Sequence, residues 1–431
     1  MIFKVIATIH GGGYIIGSAS ETPQTPLAAI GDVILVNFNY RLGIFGFADM
    51  NDFAPGNLGL HDQRLALQWI QDNIADFGGD PNRVTVIGVS AGSMSLSAQI
   101  ITPIDDKNLF QSAVLDAGVV ASNGFFEDSQ SSYTRLKKIA EQVHCPVDSQ
   151  EMVDCLRKVS VGKLLPLSFD TAGSNGIRYF VASADGKFIP KNVEEYVEKN
   201  SASLRKIRSI IGYAKDEGTF FVGSTFLNFD FPNLQTKEEI VDHCEKLSIS
   251  YDHKLDFTNE KTKRLITELY ADEHPKNSFN AIAAFQGDGI FKCNINNFVR
   301  SFARHNDEVY VYQFERKLQS TYWKILNPNL LGAFHFSPYL HFVGVLLAGD
   351  EPIESRDKLY SLDSIKMISN FAKSKDSPTF RGTKWPSFSE SGEIMIFDEI
   401  SSVRRGLPSE RACRELFDGF REEPKIPRNE L

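Results

Sequence analysis

The sequence predicts an α/β fold, and three observations carry that reading. A β-branched run, Val84-Thr85-Val86-Ile87, breaks at Gly88 and gives way to Ser93–Ile100, which can continue as a helix. A second strand-like run, Lys4–Ile9, leads straight into His10-Gly11-Gly12-Gly13. Two further runs, Ile207–Gly212 and the alternating Val309–Phe314, are each followed by a loop that carries titratable residues. With 431 residues, 42% of them hydrophobic, the chain can bury one large core.

The first strand matters because it delivers the chain into a run of glycines. Three consecutive glycines expose backbone N–H groups that no side chain shields, as an oxyanion loop of the HGGG type requires. They would also suit a flexible loop or a phosphate cradle, but the cradle lacks its lysine and its helix-opening spacing. The strand at 84–87 matters in the same way. Gly88-Val89-Ser90-Ala91-Gly92 fits G-x-S-x-G, in which a sharp strand-to-helix turn pushes a serine hydroxyl out over the sheet. Read as structure alone, it is a glycine-rich turn. Read as chemistry, Ser90 is a nucleophile that needs a base to take its proton and donors to hold the oxyanion.

Between these motifs the chain reads NFNYRLGIFGF and APGNLGLHDQRLALQWIQDNIADFGGDPNRVTVIGVSAG. This block closely resembles the type B carboxylesterases and cholinesterases, a branch of the α/β-hydrolases, and the similarity continues in patches to the C-terminus. The resemblance implies a mostly parallel central sheet with helices on both faces, formed by residues 1–431 as one incomplete domain that lacks the family's first strands. It also implies a triad in the order serine, acid, histidine. Tyr213-Ala214-Lys215-Asp216-Glu217-Gly218 is similar to the family's acid loop and puts that role on Glu217, with Asp216 as the fallback. The histidine belongs on the loop after the last strand, here taken as 309–314, and His335 is the candidate. His341, in an apolar stretch, reads better as a hydrogen-bonded core residue, while His61, His144 and His305 read as surface or capping residues.

The implied division of labour has Ser90 attacking the ester carbonyl, His335 shuttling the proton and Glu217 orienting the imidazole. The N–H groups of Gly12, Gly13 and Ala91 would hold the oxyanion, and no metal or cofactor is required. The resemblance also pairs Cys145 with Cys155 and Cys293 with Cys413, leaving Cys244 over; five reduced thiols is the alternative for a cytosolic chain. Three departures from the family stand out. Val89 replaces the usual glutamate before the nucleophile, Asp116-Ala117-Gly118 replaces a Gln-Ser-Gly, and Pro338 replaces a carboxylate three residues after the histidine.

The chain starts within the glycine-loop strand, so the family's signal peptide, first strands and choline-binding tryptophan are expected to be absent. Met1-Ile2-Phe3 is too short, and too soon interrupted by Lys4, to act as a signal peptide. The strand expected at Asp32–Asn37 would then have an open edge, making the chain alone prone to aggregation and poorly active. At the other end, residues 422–431 read as an exposed tail. Its last four, Arg428-Asn429-Glu430-Leu431, resemble an endoplasmic-reticulum retention signal, which implies a luminal or secretory full-length parent.

A net charge of −9 argues against nucleic acid as a partner, and no apolar run approaches the roughly 18 residues of a membrane span. The sequence specifies no oligomeric state. Two classes of function remain: a serine carboxylesterase acting on small neutral esters, or a non-catalytic esterase-like binding or adhesion protein. An inactive truncated isoform or gene model of an active enzyme is a third reading.

Overall fold

In the strand that leads to Ser90, side chains alternate between two cores: Val84 and Val86 pack on one face of the sheet, Ile87 and Val89 on the other. The same alternation recurs in its neighbours, because successive residues of a strand point to opposite faces. A computed structural model describes residues 2–51, 53–104, 108–169, 179–202, 204, 206–225, 234–251, 253–319, 331–349 and 353–417. Its strands are β1 (Phe3–Ile9), β2 (Ile34–Asn37), β3 (Gly79–Val89), β4 (Ser112–Asp116), β5 (Phe126–Asp128), β6 (Ala182–Ala184), β7 (Arg208–Ala214), β8 (Val309–Phe314), β9 (Thr379–Phe380), β10 (Thr383–Lys384), β11 (Glu393–Phe397) and β12 (Ser402–Arg405).

Eight of these form the central sheet, in the order β12-β11-β8-β7-β4-β3-β1-β2. Every pairing is parallel except β11 with β12, so nearly every connection must cross over a face of the sheet. On the Val86 face, the core takes in the helices Leu58–Asn73, Ala91–Ile101 and Ser129–Gln142. On the Val89 face, it takes in Ser337–Phe342 and the long helix Ser355–Lys373. A third core, built around Ile240, Ile266, Tyr270, Phe279 and Phe285, belongs to a helical region beside the sheet.

The sequence-derived elements need three adjustments. The strand expected from Asp32 begins at Ile34, because Asp32 caps the preceding helix in the left-handed conformation (φ 48°), its N–H bonded to Ala28 O. The strand read at 84–87 extends back to Gly79, which pairs with Phe3 across a register shift. The strand 309–314 is not the last one. After the His335 loop the chain adds β11 in parallel beside β8, then β12 antiparallel at the edge.

Both cysteine pairings implied by the family resemblance are disulfides, with Cα separations of 5.7 Å for Cys145–Cys155 and 5.0 Å for Cys293–Cys413. Cys244 is a buried thiol in the helical core, where burial pushes its pKa up and keeps it protonated. The tail 422–431, with its Arg428–Leu431 tetrapeptide, lies outside the described residues. Among the described residues no helix is long and apolar enough to cross a membrane.

Candidate active site

Ser90 joins the end of β3 to the helix Ala91–Ile101 at φ 55°, ψ −126°, a conformation that costs a non-glycine residue about 1–3 kcal/mol and persists only where its surroundings impose it. Two hydrogen bonds do so here. The Ser90 N–H donates to Asp116 O at 2.9 Å, and the Ser90 carbonyl accepts from the Met94 N–H at 2.9 Å. The flanking glycines let the backbones close up. A Cβ on Gly88 would lie 2.4 Å from Gly92 O, and one on Gly92 would lie 2.1 Å from Ile9 O.

The glycine loop after β1 lies against this elbow. A Cβ on Gly11 would sit 2.9 Å from Ser90 Cβ, and the next two residues, Gly12 (φ 110°) and Gly13 (φ 60°), adopt conformations that favour glycine. The loop is held from behind. Tyr40 donates its hydroxyl hydrogen to His10 O at 2.9 Å and stacks on the His10 ring at 4.4 Å, while the Ile15 and Ile16 N–H groups donate to Gly12 O. Ala91, the third expected donor, opens the helix directly after Ser90, where the first N–H groups have no partner within the helix.

Glu217 and His335 meet although 118 residues separate them. The His335 Nδ1 lies 2.5 Å from Glu217 Oε2, and the other carboxylate oxygen accepts the Ala214 N–H at 2.6 Å. Glu217 is fully buried and His335 is 3% exposed. Asp216, the fallback acid, is engaged differently. Its carboxylate accepts the Ala333 N–H at 2.8 Å and its own N–H donates to Ala333 O, so it pins the loop that presents His335. His341 also lies elsewhere. It hydrogen-bonds Ser361 Oγ at 2.8 Å and packs on Phe314 and Tyr360, and burial together with the nearby Arg316 charge lowers its pKa to about 3. His61, His144 and His305 are exposed.

A cage of phenylalanines surrounds the imidazole of His335, with ring centroids of Phe291, Phe221 and Phe220 at 4.6, 5.0 and 5.9 Å. Phe125 continues it toward the glycine loop: it lies 6.1 Å from Phe221, and a Cβ on Gly13 would come within 3.1 Å of it. Such walls exclude water and strengthen the hydrogen bonds they enclose. Sequence reading did not foresee the cage. Phe220 and Phe221, directly after the acid loop, were the available signal; Phe125 and Phe291 had none.

The three departures are all buried. Val89 packs in the core on its own face of the sheet with Ile6, Val114 and Tyr312, Ala117 turns at φ 57° with its N–H on Gly212 O, and Pro338 sits in the first turn of the short helix after His335, where a fixed φ is tolerated. Among the described residues no cluster could hold a metal ion.

A parallel sheet, a strand–serine–helix elbow and a histidine on a later loop bonded to a carboxylate define an α/β-hydrolase. The sequence model of the Carboxylesterase family matches residues 3–413, and the chain belongs to that family. It is 31% identical over 413 residues to the pyrethroid hydrolase Ces2e of Rattus norvegicus, covering 94% of this chain and 69% of the relative. It is 29% identical over 400 residues to an acetylcholinesterase of Bungarus fasciatus, covering 90% of this chain but 64% of the relative. Cholinesterase 1 of Branchiostoma lanceolatum is 30% identical over 345 residues, covering 77% and 94%. The chain thus spans about two thirds of the length of the first two.

Proposed function

We propose that this chain carries the catalytic centre of a serine carboxylesterase that hydrolyses small neutral carboxylic esters through an acyl-enzyme. In this mechanism Ser90 Oγ attacks the ester carbonyl carbon while the other ring nitrogen of His335, Nε2, takes its proton. Glu217, held on Nδ1, fixes the tautomer and stabilises the imidazolium. The tetrahedral oxyanion collects N–H donors from Gly12, Gly13 and Ala91, each worth about 3–4 kcal/mol in the barrier. His335 then hands its proton to the leaving alcohol, and a water activated by the same histidine releases the acid.

The observation that carries this reading is the buried Glu217–His335 hydrogen bond, 2.5 Å long, in a chain that also presents a serine on a strained elbow. Membership of the carboxylesterase family supports it, and a non-catalytic binding role gains no support from a site that keeps all three groups. Val89 before the nucleophile and the phenylalanine cage favour neutral, apolar esters. Two disulfides fit an oxidising compartment, which supports assignment of the parent protein to the secretory pathway; retention in the endoplasmic reticulum rests on the Arg428–Leu431 tail.

A fluorophosphonate probe tests the proposal. It should label Ser90, and Ser90→Ala should abolish both labelling and hydrolysis of p-nitrophenyl butyrate. Hydrolysis that survives in a folded Ser90→Ala protein would place the chemistry elsewhere and overturn the assignment.

A further inference from the structure

The hydrolytic mechanism leaves one buried carboxyl group beneath the site unused. Asp116 ends β4 and shares a row of the sheet with Val89 of β3, Gly212 of β7 and Tyr312 of β8. Its main-chain oxygen holds the Ser90 N–H. Its side chain, fully buried, accepts a hydrogen bond from the Tyr312 hydroxyl at 2.5 Å.

That bond spans an intervening strand, and the strand is shaped for it. A Cβ on Gly212 would lie 2.4 Å from Tyr312 Cδ1, so the phenol ring can cross β7 only because the residue there has no side chain. The other carboxyl oxygen, Oδ2, has no hydrogen bond of ordinary geometry among the described residues, and the only further donor acting on the carboxyl is the Tyr339 N–H. Among the described residues, the groups that act most on the carboxyl are the Tyr312 hydroxyl from β8, the Glu217 charge from the acid loop and the Tyr339 N–H from the helix after His335, whose phenol is also near; none of them is a cation. Burial, which outweighs the Tyr312 hydrogen bond and is reinforced by the Glu217 charge, pushes the Asp116 carboxyl well above the usual carboxylate range.

We propose that Asp116 is a positioning residue for the Ser90–His335–Glu217 centre and works as an uncharged carboxylic acid clasped to Tyr312. A buried carboxylate held by the Tyr312 hydroxyl and the Tyr339 N–H, with no cation among the groups that act on it most and a second carboxylate nearby, is the expensive form of this group; the neutral acid is the cheap one. Two consequences serve the site. Glu217 then faces the imidazolium that forms during turnover without a second buried charge from Asp116 beneath it. The clasp also anchors the end of β4 to β8, so the Asp116 carbonyl, followed by the left-handed Ala117 and by Gly118 packed under Ser90 O, stays where the strained elbow needs it.

This inference rests on the ester-hydrolase reading, and its test separates the two. Infrared difference spectra of the resting protein at neutral pH, wild type against Asp116→Asn, need no turnover. The wild type should show a protonated-carboxyl C=O band that Asp116→Asn lacks and Tyr312→Phe shifts. In ester hydrolysis, Asp116→Ala should lower kcat about tenfold with KM changed by no more than about twofold. Asp116→Asn, which copies the shape of the neutral acid, should recover most of that loss and keep the acid limb of kcat/KM at the wild-type pH, with circular-dichroism melts confirming that each variant is folded. Absence of the band, or an acid limb displaced by about half a pH unit or more in Asp116→Asn, would show a charged Asp116 and overturn the proposal. A wild-type kcat in Asp116→Ala would remove the positioning role. Failure of fluorophosphonate to label wild-type Ser90 would count against the ester-hydrolase reading, and the infrared band would still decide the charge of Asp116.

Discussion

At the scale of single residues, the two histidines of the 335–341 segment make opposite predictions. His335 faces Glu217 from inside the phenylalanine cage, whereas His341 spends its hydrogen bond on Ser361. His335→Ala should therefore remove nearly all turnover, by a factor of about 10³–10⁴ or more, even under conditions where melts show the variant folded. His341→Ala should spare the chemistry: it empties a fully buried position and should cost about 1–3 kcal/mol of stability while leaving kcat within a few-fold, measured by thermal melts beside ester assays. Equal losses of turnover in two folded variants would contradict the assignment. Val89 supports a prediction about substrate charge. With a buried valine in place of a carboxylate before Ser90, kcat/KM for a neutral butyrate ester should exceed that for butyrylcholine by at least about tenfold. Asp116 adds a pH dependence. Its raised folded-state pKa means that the native protein keeps a proton which the unfolded chain releases at about pH 4. Its stability contribution is fully present below that pH and is lost as pH rises toward the folded-state pKa. The melting temperature of wild type should thus fall relative to Asp116→Asn as pH is raised above about 4.

At the scale of elements, the legible parts of this protein are those that depend on neighbours in sequence. The Ser90 elbow and the glycine loop are short strings whose geometry their own residues dictate: glycines at 88 and 92 where backbones touch, glycines at 12 and 13 where φ is positive. The strand Val309–Phe314 was legible to the residue, through its alternation. The two strands beyond it were not. Glu393–Phe397 is a five-residue, mostly apolar run, which periodicity alone cannot tell from a buried helical segment. The Asp116–Tyr312 clasp was hidden for another reason: its partners are 196 residues apart and meet only because β4, β7 and β8 are sheet neighbours. Gly212 makes that dependence testable. Gly212→Ala would drive a methyl group into the Tyr312 ring and should destabilise the protein by about 1–3 kcal/mol, more than the same change at an open position such as Gly162. The disulfides act through loop length. The chain-entropy model assigns about 3 kcal/mol to Cys145–Cys155, with a sequence separation of 10, and about 5 kcal/mol to Cys293–Cys413, with a separation of 120. Replacing the second pair with alanine should lower the melting temperature more than replacing the first.

At the scale of the whole molecule, the sheet is finished differently at its two ends. On one side, β12 closes it with Ser402-Val403-Arg404-Arg405, a strand whose two adjacent arginines discourage pairing with another chain. On the other side lies β2, with Ile34, Leu35 and Val36 and no charged residue. Its inner edge pairs with β1 from Ile34 to Asn37, but among the described residues no strand pairs with its outer edge. Burial differs accordingly: β1 is fully buried from Val5 to Ile9, whereas every residue of β2 is only partly covered. An apolar edge with free N–H and C=O groups gains stability by accepting another strand, and the nearest source in a pure preparation is a second copy of the chain. The 431-residue chain should therefore self-associate, with its apparent mass rising with concentration on size-exclusion chromatography. Val36→Lys places a charge on that strand and should shift the equilibrium toward monomer, with circular-dichroism melts separating that shift from any stability lost where Val36 meets the core. The edge also bears on activity, because β2 pairs with β1, β1 leads into the Gly11–Gly13 loop, and any slip in that register moves the oxyanion donors relative to Ser90. Esterase activity should accordingly rise when the edge is satisfied by a complementary strand supplied in trans. A wild-type chain that stays monomeric at high concentration would show that β2 needs no partner and that the bonds of β1 alone hold the glycine loop in register.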